Sequence, residues 1–245
     1  MIQAAGTLGA SLVVVRGWEL LSAGLFVVGI LVLRRRRNPV YWGVFAGAVL
    51  VCLFDWIWNR NWYGAVSYSD YFIPAWTARG ERQPVALPLV YCFFFGLPMI
   101  QLLEHRSVLD ERFGRLQWPL IFGLFAIPQM PFEIFASRVL KLWHYHEVPP
   151  WTYLGVPWSN AVFAGFLGIG FYTAGRLALR WTWSPADREG LTATGPSSID
   201  SRLERWIVAF VTTLALSSLV LTTITYAFLP WYMVVKPWAP TAPAL

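Results

Sequence analysis

The chain alternates between long apolar segments and short connections in which the charged residues gather. Each apolar segment is about 20 residues long, which is the length that an α-helix needs to cross about 30 Å of hydrocarbon. The pattern predicts an all-α fold, a polytopic transmembrane bundle of about six helices. The predicted spans cover residues 17–33, 40–58, 85–103, 116–140, 158–179 and 206–229.

The composition agrees with this pattern. Hydrophobic residues make up 57% of the 245-residue chain and charged residues 13%, a balance that a water-soluble domain of this size does not show. No repeat of fixed period is present and the connections are short, so residues 1–245 are expected to form a single integral membrane domain. The longest connection, residues 184–201, is rich in glycine, proline, serine and threonine and is expected to be a flexible cytoplasmic loop.

The basic residues predict the direction of the helices. Four consecutive arginines, Arg34 to Arg37, follow the first span, and such a block stays on the cytoplasmic side because it is costly to translocate. Both termini then lie outside, and the membrane is expected to be a bacterial inner membrane. The net charge of +6 is attributed to topology and to contacts with anionic membrane lipids, so no nucleic-acid partner is expected.

The end of the second span carries an acid and an amide. Asp55 and Asn59 are four residues apart and share one face of a helix, close to Trp58 and Trp62. A charged group inside a span is costly, so it marks a candidate functional site. The alternative is a helix end whose polar groups reach the membrane surface.

The fourth span carries Glu133 shortly after two prolines, with Gln129 one turn earlier on the same face. The prolines remove backbone donors and are expected to break the helix and open space beside the acid. A carboxyl group in such a dry environment favours its protonated form, as a general acid requires. The alternative is an ion pair with Arg138 or Lys141.

Because the helices alternate in direction, several other side chains reach the same outer level. They are Tyr91, Tyr145, Trp158, Asn160 and Tyr226. We expect the amides and hydroxyls to orient the acids, and the tryptophan faces, including that of Trp143, to stabilise a cation. Glu19 reaches this level too, but Arg16, three residues earlier, offers an ion pair that explains it.

Two of the three histidines, His144 and His146, flank Tyr145 in the outer connection. In an extended segment their imidazoles point to opposite sides, and no further histidine cluster exists to complete a metal site. We therefore expect no metal and no other cofactor, while Tyr145 or His146 remains open as a proton relay. The chain also lacks a Gly-rich phosphate loop, a Gly-x-Ser-x-Gly elbow and a zinc-protease helix.

Four short motifs follow one another within residues 40–172: Asp55 with Asn59, Ile73-Pro74-Ala75-Trp76, Phe132-Glu133, and Gly155-Val156-Pro157-Trp158-Ser159-Asn160. Their order resembles the avermectin spirocyclase (AveC-like) family of small bacterial membrane proteins and, more distantly, the membrane terpene cyclases and carotenoid hydratases. The resemblance implies Asp55 and Glu133 as an acid–base pair, oriented by Asn59 and Asn160. The chain departs from the spirocyclase pattern in its Trp-rich second connection and its Pro-Trp-Ser-Asn helix start.

Two functions remain open at this point. The first, implied by the resemblance, is a cofactor-independent cyclase or isomerase that uses protonation-initiated chemistry on a lipophilic isoprenoid or polyketide of secondary metabolism. The second is a non-catalytic lipid- or pigment-binding membrane protein, or an assembly subunit, that holds the same ligand unchanged. A transporter is disfavoured because no inverted repeat is evident.

Overall fold

The computed structural model describes residues 9–61, 66–78, 81–145, 152–182 and 199–227, and only the backbone of residues 54–61, 81, 182, 199–202 and 226. The helices are α1 (Leu12–Arg36), α2 (Pro39–Asn61), α3 (Ala86–Tyr91), α4 (Leu97–Glu104), α5 (Arg106–Phe113), α6 (Gln117–Ile134), α7 (Ser159–Thr182) and α8 (Ile199–Ala227). A π-helical turn, Cys92–Gly96, joins α3 to α4 into one span, and a second, Phe135–Val139, continues α6. The predicted all-α bundle is confirmed.

Five helical segments in the described part of the chain are long and apolar enough to cross a membrane. α2 adds a helix of 23 residues, in which Pro39–Leu53 is the apolar part with described side chains. Large apolar side chains on the outside of the bundle are exposed, among them Val13 at 80%, Leu20 at 74% and Ile127 at 74%. This surface suits lipid and not water, so the protein is an integral membrane protein.

The helices at the two ends of the chain begin earlier than the sequence indicates. α1 starts at Leu12, where the side chain of Ser11 accepts a hydrogen bond from the Val14 amide at 3.4 Å and caps the first turn. α8 starts at Ile199, so the last three residues of the predicted flexible segment 184–201 are helical. The rest of that segment lies outside the described residues.

The bundle is organised around α7, which packs against α6 and α8, while α2 packs against α8. Small residues allow these close approaches. A Cβ atom on Gly168 of α7 would lie 2.2 Å from the Phe125 ring of α6, and one on Gly47 of α2 would lie 2.6 Å from Ser217 Cβ of α8. Without a hydrophobic drive between helices in lipid, such backbone proximity supplies the packing.

The expectation that the prolines break the fourth span is wrong. α6 runs without interruption through Pro128 and Pro131, and it widens only beyond Ile134, into the π-helical turn. There the Leu140 amide donates to the carbonyl of Phe135, five residues earlier, at 2.9 Å. The wider turn lies immediately after Glu133, and π-turns of this kind occur often at functional sites.

The connections after α2 and after α6 form small antiparallel sheets, which the sequence did not predict. β1 (Val66–Tyr68) pairs with β4 (Trp143–Tyr145), β2 (Pro74–Ala78) with β3 (Glu81–Pro84), and β5 (Thr152–Tyr153) with β6 (Val156–Pro157). The β1–β4 pair joins the connection after α2 to the connection after α6. It therefore fixes Trp143 and Tyr145 over this end of the bundle.

The opposite end of the bundle is closed by charged residues. Arg36 of α1 pairs with Glu104 of α4. Asp110 of α5 accepts two hydrogen bonds from Arg176 of α7, each at 2.8 Å, and one from the buried side chain of Gln117 at 2.8 Å. α5 is a short charged helix that we place outside the spanning segments. Its hydrogen bonds from Arg176 and Gln117 lower the pKa of Asp110 below its ordinary value.

Candidate functional site

A pocket lies between the third span, α6 and α7, beneath the β1–β4 sheet. Most of its lining is apolar or aromatic, including Trp18, Phe72, Val90, Phe94, Phe95, Phe132, Phe163 and Leu167. The polar side chains that reach it are Tyr68, Tyr91, Gln129, Glu133, Trp143, Tyr145 and Asn160. An apolar cavity with a few converging polar groups is the usual form of a small-molecule site.

Glu133 is the acid of this pocket, and its side chain is buried on α6. Gln129 Nε2 donates to Oε1 at 2.9 Å, as expected for residues four apart on a helix. Trp143 Nε1 and Tyr145 Oη, both on β4, donate to Oε2 at 3.0 and 2.7 Å. The three donors are neutral groups, and together they hold the carboxyl group in place.

The hydrogen bonding continues from Glu133 to α7. Asn160, in the first turn of α7, donates from Nδ2 to the Tyr145 hydroxyl at 2.6 Å, and the same hydroxyl donates to Glu133. Asn160 is only 5% exposed, and its Oδ1 atom has no hydrogen-bond partner among the described residues. Buried acceptors are usually hydrogen-bonded. Because Asn160 lines the pocket, a donor group on a bound molecule could supply the bond that Oδ1 lacks.

Aromatic rings form the walls around the carboxyl group. Phe132 lies 4.3 Å from Phe94, 5.8 Å from Trp18 and 6.0 Å from Trp143, measured between ring centroids. The rings thus make a continuous surface from α1 across the third span to β4. Aromatic faces attract a cation, and they do so most strongly where water is absent.

Glu19 stands beside the pocket with a different role. It is buried on α1, and it forms the ion pair with Arg16 that the spacing suggested. Its Oε1 atom also accepts a hydrogen bond from the Ile73 amide at 2.7 Å. Both carboxylate oxygens are therefore engaged, and Oε1 holds the connection before β2 against α1, which is a structural role.

The structure brings five of the predicted site residues to one pocket: Tyr91, Gln129, Glu133, Tyr145 and Asn160. Trp158 is 54% exposed and is not part of the pocket lining. Arg138, one of the ion-pair partners suggested for Glu133, donates from Nε to the Leu154 carbonyl at 2.8 Å.

The remaining predicted residues lie beyond the described side chains. Asp55, Trp58 and Asn59 belong to the last turns of α2, and Tyr226 to the last turn of α8, each with its backbone alone described. Trp62 and His146 lie outside the described residues. The participation of these residues in the site stays a prediction.

Trp143 has a part that sequence reasoning missed, because it was expected only to offer its ring face. Trp143 and Tyr145 are two residues apart on β4, and residues at that spacing project from the same face of a strand. Recognising the segment as a strand instead of an interfacial loop would have placed both donors together. Nothing in the sequence distinguishes Phe94, because phenylalanines are common in apolar helices. Phe132 appeared only as part of the Phe132-Glu133 motif.

No group of three or more His, Cys, Asp or Glu side chains that could hold a metal ion occurs within the described ranges. No family model, curated protein or solved structure matches the chain. The resemblance to the spirocyclase group therefore stays a prediction. The pocket is the feature of the molecule from which a function can be inferred.

Proposed function

We propose that the protein is a membrane-embedded enzyme that cyclises or isomerises a lipophilic isoprenoid or polyketide by acid–base chemistry, without a cofactor. The observation that carries this proposal is the carboxyl group of Glu133, buried in an aromatic pocket of a membrane protein and held by three neutral donors. A carboxyl group held in position in an apolar cavity can exchange a proton with a lipophilic ligand.

In this proposal Glu133 acts as the base. Hydrogen bonds from Gln129, Trp143 and Tyr145 hold the carboxyl group of Glu133 in position. The carboxylate takes a proton from the cationic intermediate, and Tyr145 and Asn160 hold it in position. Asp55, in the last turns of α2, is the proposed acid that delivers the first proton, because the resemblance implies Asp55 and Glu133 as an acid–base pair.

The chemistry needs no other reactant than water, through which Glu133 releases the proton that it gained and Asp55 regains the proton that it lost. One proton is added to an alkene or carbonyl of the substrate, a ring closes or a double bond moves, and one proton leaves from a neighbouring carbon. The product is then an isomer of the substrate. The cation between these steps is stabilised by the faces of Phe132, Trp143 and their neighbours, each by about 2 kcal/mol where water is excluded.

Deuterium incorporation tests the proposal. Purified protein in lipid nanodiscs is incubated with a total lipid extract in D₂O, and the extract is compared by mass spectrometry with one incubated in empty nanodiscs. We expect a new species that has the formula of a compound in the extract and carries one carbon-bound deuterium. Recovery of a protein-bound lipid with unchanged structure and no deuterium would instead identify a binding protein.

We also propose that the pocket opens toward the outer side of a bacterial inner membrane, with both termini outside. Arg34, Arg35 and Arg36 end α1 on the side away from the pocket, where the positive-inside rule places cytoplasm. The substitutions Thr77→Cys and Ser107→Cys test this, since the native Cys52 and Cys92 are buried. A membrane-impermeant maleimide should label Thr77→Cys in intact cells and Ser107→Cys only after permeabilisation; the reverse pattern would invert the topology.

A further inference from the structure

A second, apolar groove lies on the membrane-facing side of the bundle, between the third span and α6. It is lined by Phe93, Phe94, Phe95, Pro98, Leu124, Phe125, Pro128 and Gln129. Three of these residues, Phe94, Phe95 and Gln129, also line the pocket that contains Glu133. The groove and the pocket are thus neighbours that share these three side chains.

The groove lies at the middle of the membrane. Phe95 is the midpoint of the third span, residues 86–104, and Pro128 is the midpoint of residues 117–139, the fourth span. Leu124 is 49% exposed on this surface. At that depth the surroundings of the protein are hydrocarbon, and lipid headgroups lie well over 10 Å away. The occupant that fits this position is therefore a hydrocarbon chain.

Two of the side chains that the groove and the pocket share come from an irregular part of the third span. Phe94 and Phe95 belong to the π-helical turn Cys92–Gly96, in which the backbone hydrogen bonds differ from those of the flanking helix. The Phe94 ring packs against Phe132 in a tilted arrangement, with the ring planes at 52°. Rotation of this one ring would join the two spaces.

The size of the pocket limits what passes through. Its volume is about 80 Å³, well below the roughly 300–1,000 Å³ of sites that enclose a drug-sized ligand. The pocket accommodates the end of a chain and not a whole lipid. The polar head of a lipid stays at the membrane surface, so the end that arrives at the midplane is the hydrocarbon end.

We infer that the groove is the path by which the substrate reaches Glu133, with the Phe94 ring as the barrier. The substrate class is then a lipid that carries its reacting group far from its polar head, such as the terminal double bond of a long unsaturated chain. This inference rests on the proposed function for the reaction itself, but the path is testable without turnover.

Two photoreactive fatty acids of equal length, incorporated into nanodiscs with the purified protein, test the path. One carries a diazirine at its terminal carbon and the other carries it beside the carboxyl group. We expect the terminal diazirine to label peptides that contain Phe93 to Pro98 and Trp143 to Tyr145, and the other to label only residues near the surface. Equal labelling of the pocket by both probes would overturn the inference.

Variants locate the barrier. Leu124→Trp fills the groove and should lower labelling of the pocket about tenfold, while Leu219→Trp, at a lipid-exposed position of α8, should leave it unchanged. Phe94→Ala removes the barrier and should raise labelling; equal labelling in all three variants would contradict the path. Glu133→Gln should label like the unmodified protein, so a failure of the path and a failure of the proposed chemistry give different results.

Discussion

Each end of the bundle holds a carboxylate that accepts three hydrogen bonds, but the two carboxylates have partners of different kinds. Asp110 receives two bonds from the guanidinium of Arg176 and one from Gln117. The bonds that Glu133 accepts from described residues come from an amide, an indole and a phenol. The donors to Asp110 include a cation, while these three donors to Glu133 are neutral side chains.

The neighbours of the two carboxylates differ in the same way. Arg176 also donates to Gln117 Oε1 at 3.0 Å and lies over the Tyr172 ring, so the Asp110 network ties α5, α6 and α7 together. The Glu133 network borders a pocket and includes the unpartnered Oδ1 atom of Asn160. The first network serves stability, and the second is the one that we propose to bind a ligand and exchange a proton.

Glu133→Gln should have the largest effect on turnover, and it distinguishes the Glu133 network from the Asp110 network most clearly. Glutamine keeps the shape and accepts hydrogen bonds, but it cannot take a proton, so turnover should fall by about 100-fold or more. The melting temperature in detergent should change little. Glu111→Gln, on the exposed face of α5, is the matched control and should retain full turnover. Retained turnover in Glu133→Gln would remove the carboxylate from the chemistry.

Arg176→Met should give the largest effect on stability. It leaves Asp110 without its cation and removes one donor from the buried Gln117, which should cost about 2 kcal/mol. Thermal unfolding in detergent measures this cost, with Arg112→Met, at an exposed position of α5, as the control. Turnover by the folded fraction should be unchanged. A loss of turnover at full stability would show that this end of the bundle takes part in function.

Tyr145→Phe should have a smaller effect on turnover than Glu133→Gln. The hydroxyl joins Asn160 to Glu133, and its loss removes one donor to the carboxylate while leaving the ring in place. We expect turnover to fall about tenfold, equivalent to about 1.4 kcal/mol in the barrier. Tyr153→Phe, at an exposed position of β5, is the control. A loss as large as that of Glu133→Gln would instead make Tyr145 a direct proton donor.

Asp110→Asn should have the smallest of these effects, a loss of stability that depends on pH. Arg176 and Gln117 lower the pKa of Asp110 below its ordinary value of 3.8, so the pair stabilises the folded state above that pH. Because Asp110 is 42% exposed, its contribution should be at most about 1 kcal/mol. The difference in melting temperature from the unmodified protein should be constant above about pH 5 and vanish as the pH falls through the folded-state pKa. A difference that grows on acidification would contradict this assignment.

The sequence by itself determined the membrane-spanning architecture, because about 20 apolar residues in a row have no other stable arrangement in a bilayer. It also determined the pairing of Gln129 with Glu133 and of Arg16 with Glu19, since both follow from the geometry of a single helix. Local spacing was misleading at the prolines, because it does not tell whether a helix breaks or continues through Pro128 and Pro131.

The tertiary structure alone decided what surrounds Glu133. The indole of Trp143 and the hydroxyl of Tyr145 reach the carboxylate because β4 pairs with β1. The two strands are distant in sequence, since β1 begins at Val66 and β4 begins 77 residues later, at Trp143. Asn160 completes the network because α7 packs against α6. Contacts between distant segments depend on packing and pairing that no local pattern encodes. The sequence therefore placed an acid in the membrane, and the fold surrounded it with neutral donors and an aromatic pocket.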